Sequence, residues 1–237
     1  MEAAFQKIGL KQDHNKNHEI DGCAIRLYQV LPGPEYRVWE VRSAWMCPTD
    51  IAVLHLLKWR TTRPEETIEW RAPRLRALPP PVGEKVVAFG YRESKVLVTE
   101  DAAGVHHIEH NDRLTVSIGE VKQIYPSGRD RVVLPFPCYE IEARFDPGMS
   151  GGLVIDENGA LCGLICASLQ TSESNVPPIS YVVSLWPMLT TVISANRGDH
   201  DPKDVKYPMI DLAHDGLISV VDVEHLTFPP FDAPYTP

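Results

Sequence analysis

The segment Asp146-Pro147-Gly148-Met149-Ser150-Gly151-Gly152 carries the sharpest chemical signal in this chain. Glycines flanking a serine let the backbone turn tightly, which exposes the hydroxyl and brings neighbouring N–H groups toward one point. An acyl-transfer nucleophile with an oxyanion hole needs that arrangement, although the same composition also fits a glycine-rich loop between strands. A second signal is Cys47-Pro48-Thr49-Asp50-Ile51-Ala52-Val53-Leu54, in which an acid leads straight into an apolar strand. A buried Asp50 could orient an imidazole and stabilise its protonated form. Alone it is equally a strand start.

Such a site needs an imidazole to take the serine proton. His14 and His18 lie in the charged stretch KQDHNKNHE and read as solvated loop residues. His106, His107 and His110 form HHIEH, which is not HExxH. Neighbouring side chains of a strand point to opposite faces, so surface histidines and no metal are expected there. His55, in IAVLHLL, reads as core or barrel rim, and His200, His214 and His225 fall in the last part of the chain. The five cysteines, Cys23, Cys47, Cys138, Cys162 and Cys166, are an odd number without a CxxC pair. That pattern argues for reduced thiols, some in the core, and against a disulfide framework or a zinc ribbon.

The elements that must position these residues are short. At 237 residues and 43% hydrophobic content the chain can bury a full core, and no apolar run approaches the roughly 18 to 20 residues of a membrane span. Lys and Arg number 23 against 32 Asp and Glu, a formal charge of −9, which argues against a partner held by phosphate neutralisation. From residue 23 onward, strand-length apolar stretches alternate with turns: CAIRLYQVL, YRVWEV, IAVLHLL, KVVAFGY, KVLVTE, LTVSIGEVKQIY and CYEIEARF. Turn chemistry falls at 32–35, 79–83, 126–130 and 156–159. Without intervening long helices, an antiparallel sandwich or barrel is expected. Residues 2–9 read as the end of a helix, 11–22 as a polar loop and 185–196 as a helix with Pro187 in its first turn. Residues 197–206 read as a linker, 209–226 as a hairpin around His214, Asp215 and Gly216, and the Pro-rich end as extended. The N-terminus lacks the pattern of a signal peptide, which points to the cytoplasm if Met1 is the true start.

Taken together, the Ser150 and Asp50 segments resemble the trypsin/chymotrypsin-like serine peptidases, whose nucleophile sits in G-[DNM]-S-G-G and whose acid sits in D-I-A-[VL]-L. Asp50 precedes Ser150 by 100 residues, against roughly 93 in the chymotrypsin arrangement. VGEKVVAFGY (82–91) is similar to the strand after the acid, and GALCGLICAS (159–168) to the hairpin lining the substrate cleft. The resemblance covers about residues 2–190. It implies two six-stranded antiparallel β-barrels, a Ser150 nucleophile oriented through Asp50, and an oxyanion hole from the N–H groups of Gly148 and Ser150. Losing one such donor typically costs roughly 3 to 4 kcal/mol of transition-state stabilisation. It further implies that Cys166, Ala167 and Ser168 leave an edge open for an extended peptide. Arg144 would lie near the base of the specificity pocket or be an exposed charge.

In the chymotrypsin order the base precedes the acid by roughly 45 residues, near residue 5, where no histidine stands. The segment Met1–Gln6 is similar to the helix that follows the family's histidine, so the expectation is a domain whose first strands and base precede Met1. The expected layout is therefore a peptidase domain over 1–196, its first barrel incomplete and ending in a helix, followed by an extension over 197–237. Its partner is a polypeptide substrate, with no cofactor, nucleic acid or membrane. Two alternatives stand beside it. One is a non-catalytic peptide-binding domain on the same fold. The other is an α/β-hydrolase esterase using G-x-S-x-G at 148–152, which requires a helix directly after Ser150.

Overall fold

The computed structural model describes residues 25–30, 36–61, 72–102, 104, 106–169, 177–195 and 205–226. The readings of residues 2–9, 11–22, 197–204 and 228–237, together with Cys23 and the candidates His14, His18 and His200, lie outside them. In chain order the strands are β1 (Arg26–Val30), β2 (Tyr36–Met46), β3 (Ala52–Thr61), β4 (Leu75–Arg76), β5 (Lys85–Glu100), β6 (His106–Tyr125), β7 (Cys138–Glu142), β8 (Leu153–Asp156), β9 (Leu161–Leu169) and β10 (Ile179–Ser184). Helix α1 (Trp186–Leu189), β11 (Val192–Ala195), β12 (Val205–Pro208), α2 (Ile210–His214) and β13 (Val220–Val221) follow.

Period-2 alternation builds the barrel. On β5, Val86 and Ala88 are fully buried while Val87 between them and Phe89 after them are partly exposed, as expected of a strand with one face on a core. Strands β10, β7, β6, β5, β8 and β9 pair in that order, and β9 pairs back onto β10, closing a six-stranded antiparallel barrel. Closure leaves the ring without an open edge. Val86, Ala88, Val121, Tyr139, Ile141, Val154, Cys162 and Val182 fill its interior. Phe145 and Met149 join the same cluster from the loop before Ser150. Each such burial contributes about 1.5 to 3 kcal/mol, which ties that loop to the barrel.

The described residues form two units. One holds the antiparallel meander β1-β2-β3. The other holds the barrel, the later elements and Cys47–Ile51. Among the described residues one barrel closes. The second expected barrel is not seen among the described residues, where β1-β2-β3 form an open three-stranded sheet.

Three local expectations differ from the structure. The stretches 85–91 and 95–100 are one strand with a bulge between Arg92 and Lys95, where Glu93 takes a φ of 56°. The helix expected over 185–196 is a single turn, Trp186–Leu189, capped where Thr190 Oγ1 donates to Pro187 O at 2.8 Å. Beyond it, β-branched Thr191, Val192 and Ile193 favour extended backbone, and Val192–Ala195 pairs with Val205–Pro208. The hairpin expected over 209–226 is α2 followed by β13. Gly216, at a φ of +72°, ends the helix, with Leu217 N donating to Leu212 O at 2.8 Å. Strand β13 runs parallel to β4, which runs parallel to β9. Arg76 on β4 bonds Glu84 at 2.7 Å and Asp156 at 3.0 Å, with Asp222 at 3.4 Å.

Candidate active site

The loop from Arg144 to Gly152 joins β7 to β8, and most of its backbone groups are engaged. Met149 N donates to Asp146 O at 3.1 Å, Gly151 N to Ile165 O at 2.8 Å and Gly152 N to Met149 O at 2.9 Å. Within the stretch 146–152, Gly148 and Ser150 are the exceptions: among the described residues neither amide donates to an acceptor. Gly148 has a φ of +97° and Gly151 one of +83°, conformations that a side chain disfavours. Ser150 is exposed, and its hydroxyl has no hydrogen-bond partner among the described residues. The loop therefore offers a free hydroxyl between two tight glycine turns, with two N–H groups unused.

Strand β8 begins at Leu153, and a turn at Glu157–Gly159 leads into β9. A strand rather than a helix follows Ser150, which removes the strand-to-helix elbow that the α/β-hydrolase alternative requires.

Strand β9 links the loop to the acid. Ile165 N donates to Gly152 O at 2.9 Å and Ile165 O accepts from Gly151. The next residue, Cys166, is close enough to Asp50 for the carboxylate to help push up its thiol pKa. Burial is the larger cause, and together with the neighbouring Cys138 they place that pKa at about 12. The Cys166 thiol donates to Tyr181 O at 3.3 Å. Asp50 itself is exposed, where a buried carboxylate is expected from the sequence. It sits in the bend 48–50 before β3 rather than inside the strand, and no described residue donates a hydrogen bond to it. Beside it Cys47 is buried, with its pKa raised by burial, and it lies next to Thr191.

Cys166, Ala167 and Ser168 are half-buried on β9, where Ala167 pairs with Tyr181 and Ser168 with Ser180. The hydroxyls of Ser168 and Ser180 are 3.3 Å apart. Ser180 Oγ donates to Ala143 O at 2.7 Å and accepts from Phe145 N at 3.2 Å, fixing the chain as it enters the loop. The Arg144 side chain is 70% exposed and bonds Asp146 Oδ1 at 2.9 Å, the exposed-charge alternative for this residue. Asp146 Oδ2 takes a second guanidinium, Arg92 Nη1, at 2.7 Å. Partial burial raises the Asp146 pKa and the hydrogen bonds from Arg144 and Arg92 lower it, with a net shift downward. Sequence patterning singles out neither Arg92 nor Ser180, because the strands that carry them reach the loop only when the barrel closes.

His55 is exposed on β3, and His214 and His225 are exposed beyond the barrel. His106, His107 and His110 stand on β6 in register with Glu100, Thr99 and Val96. Among the described residues no group of three His, Cys, Asp or Glu side chains could hold a metal ion.

The family model of the trypsin-like peptidase domain matches residues 10–164. No curated protein sequence matches the chain. Among solved structures it is similar to an inactive form of the Rv3671c protease, with 20% identity over 65% of this chain and 69% of that one and a TM-score of 0.38. A mutant of Rv3671c from M. tuberculosis H37Rv, also inactive, gives 19% identity and a TM-score of 0.38, with 65% of this chain covering 66% of that one. The MamO protease domain from Magnetospirillum magneticum is 17% identical over 65% and 73% of the two chains, with a TM-score of 0.31. The HtrA-type protease AlgW with a decapeptide is 17% identical over 79% of this chain, with a TM-score of 0.37, and this chain spans 61% of its length.

Proposed function

Because the chain belongs to the trypsin-like peptidase domain family, we propose that it is a serine endopeptidase with Ser150 as nucleophile. Ser150 Oγ attacks the scissile carbonyl of a polypeptide, and the developing oxyanion lies between the N–H groups of Gly148 and Ser150. Collapse of the tetrahedral intermediate expels the amine and leaves an acyl-enzyme, which water then hydrolyses. The observation that carries this proposal is the pair of unused amides flanking an exposed hydroxyl, in a loop whose other amides at 149, 151 and 152 are engaged. Preorganised donors of this kind supply a large share of the stabilisation in acyl transfer. Asp50 is the acid of the site and residues 166–168 line the cleft; acylation further needs a general base that takes the Ser150 proton and returns it to the leaving amine, a role that no described histidine is placed to fill.

A second proposal, a peptide-binding domain without turnover, is supported by the exposure of Asp50 and by the lack of a described partner at Ser150 Oγ. A fluorophosphonate probe separates the two when applied to the full-length protein. A covalent adduct on the Ser150 peptide, absent in Ser150→Ala, is the expected result. No adduct, together with peptide binding unchanged in Ser150→Ala, would establish the binding domain instead.

A further inference from the structure

Asp146 opens the turn that presents the Gly148 amide, and its carboxylate is held from two sides. Arg144 is only two residues away and 70% exposed, so it cannot tie the turn to the barrel. Arg92 can, because it belongs to β5, is 30% exposed and reaches Asp146 Oδ2 at 2.7 Å. Its Nε is buried without a partner, so Asp146 is the one anion that this guanidinium meets among the described residues. The same stretch of β5 underlies the turn along its backbone. A Cβ on Gly148 would lie 3.1 Å from Tyr91 O and 3.4 Å from Arg92 Cα, and one on Gly90 would lie 2.8 Å from Met149 Cβ. The bulge after Arg92 breaks the strand's alternation at that point, and bulges commonly re-aim a side chain.

We propose that Arg92, acting through the Asp146 carboxylate, is a positioning residue that holds the turn 146–149 with the Gly148 N–H directed at the oxyanion. The inference rests on the Ser150 reading. Charge-assisted hydrogen bonds are about twice as strong as neutral ones, and this one joins the turn to a strand that is itself fixed in the barrel. Without it the turn keeps its local bond from Met149 N to Asp146 O but loses its charged tie to the wall, and the Gly148 peptide can rotate.

Two measurements on the full-length protein test this in Arg92→Ala, Arg92→Lys and Asp146→Asn. In Arg92→Ala and Asp146→Asn, amide hydrogen exchange of the peptide spanning 146–152 is expected to rise about tenfold, while peptides from β7 and β10 stay protected. The fluorophosphonate inactivation constant is expected to fall about tenfold with the half-saturating probe concentration unchanged, and Arg92→Lys should recover part of both effects. Wild-type exchange and reactivity in Arg92→Ala would overturn the positioning role. A general loss of protection across the barrel would overturn it too, since Arg92 would then serve stability alone. Absence of labelling in the unmodified protein removes the serine-peptidase reading but leaves the exchange comparison to decide whether Arg92 holds the turn.

Discussion

Ser180 Oγ donates to the carbonyl of Ala143 at 2.7 Å, joining β10 to the residue that leads into the Ser150 loop. The same oxygen accepts the Phe145 amide, and Ser180 is fully buried. Ser180→Ala strands one donor and one acceptor away from water, which costs about 1 to 3 kcal/mol. Urea unfolding should show that loss with an unchanged m-value. Because Phe145 precedes Ser150 by one short turn, the variant should also react more slowly with a fluorophosphonate.

Gly151 and Gly152 are adjacent but need to be glycine for different reasons. A Cβ on Gly151 would meet open space, and only the φ of +83° opposes a substitution there. Gly151→Ala should therefore cost about 1 to 2 kcal/mol, the penalty of left-handed backbone. A Cβ on Gly152 would overlap Phe89 O and lie 2.8 Å from Met149 O, both backbone atoms that cannot swing aside. Gly152→Ala should be the more damaging, at about 3 kcal/mol or more, since strand β5 or the loop must move. Equal melting temperatures for the two variants would contradict this ranking.

Asp146 gives stability a defined acid limb. Its folded pKa lies below the ordinary 3.8, so the unfolded chain binds the proton more readily and stability rises with pH through that range. The contribution is in place above about pH 4 and is lost as pH falls through the lowered folded value. Wild type should therefore exceed Asp146→Asn in stability at pH 7, and the gap should close on acidification below pH 4. A gap that persists at the lowest pH would show that the carboxylate's charge is not what Arg92 and Arg144 hold.

Cys166 lies on β9, half-buried, and should be a poor nucleophile. With its pKa at about 12 against an ordinary 9.0, its thiolate fraction at pH 8 is about a thousandfold below that of a free thiol. Iodoacetamide at pH 8 should leave Cys166 unmodified in the folded protein over a time that fully alkylates it in urea, as read by peptide mass spectrometry. Rapid native alkylation would mean that the strand opens to solvent.

Local features were legible in the chain and assembled ones were not. The turn at Ser150 and the hairpin at Asn158-Gly159 are written in glycines whose torsions require them, and both stand where the sequence puts them. The barrel also follows from strand-length alternation, but its closure through β9 and β10 depends on partners that no local window contains. Pro187 signals a helix start correctly and says nothing of the length, which the β-branched run from Thr190 cuts to one turn. Gly216 suits a hairpin turn and a helix end equally well, and only the packing of Ile210 and Ala213 beside Ala77 and Leu189 decides between them. Exposure of Asp50 is likewise invisible in D-I-A-V-L, since a motif states neighbours along the chain and not neighbours in space.

The segment after residue 204 is bound to the barrel unit by packing as well as by strand pairing. Ile210 is buried against Ala77 and Leu189, with Trp186, Met188, Ile218 and Val220 around them. Leu75 N donates to Ser219 O at 2.8 Å and Ala77 N to Val221 O at 3.2 Å, so the extension hydrogen-bonds the strand that leads into β5. Arg76 on that strand is clamped at once by Glu84, Asp156 and Asp222. Ile210→Ala leaves a cavity among these side chains and should cost about 2 to 4 kcal/mol. If the extension and the barrel unfold as one, tryptophan fluorescence and far-UV circular dichroism will lose signal at the same, lowered denaturant midpoint. A separate early transition in Ile210→Ala would mean that the extension melts from the barrel as its own unit.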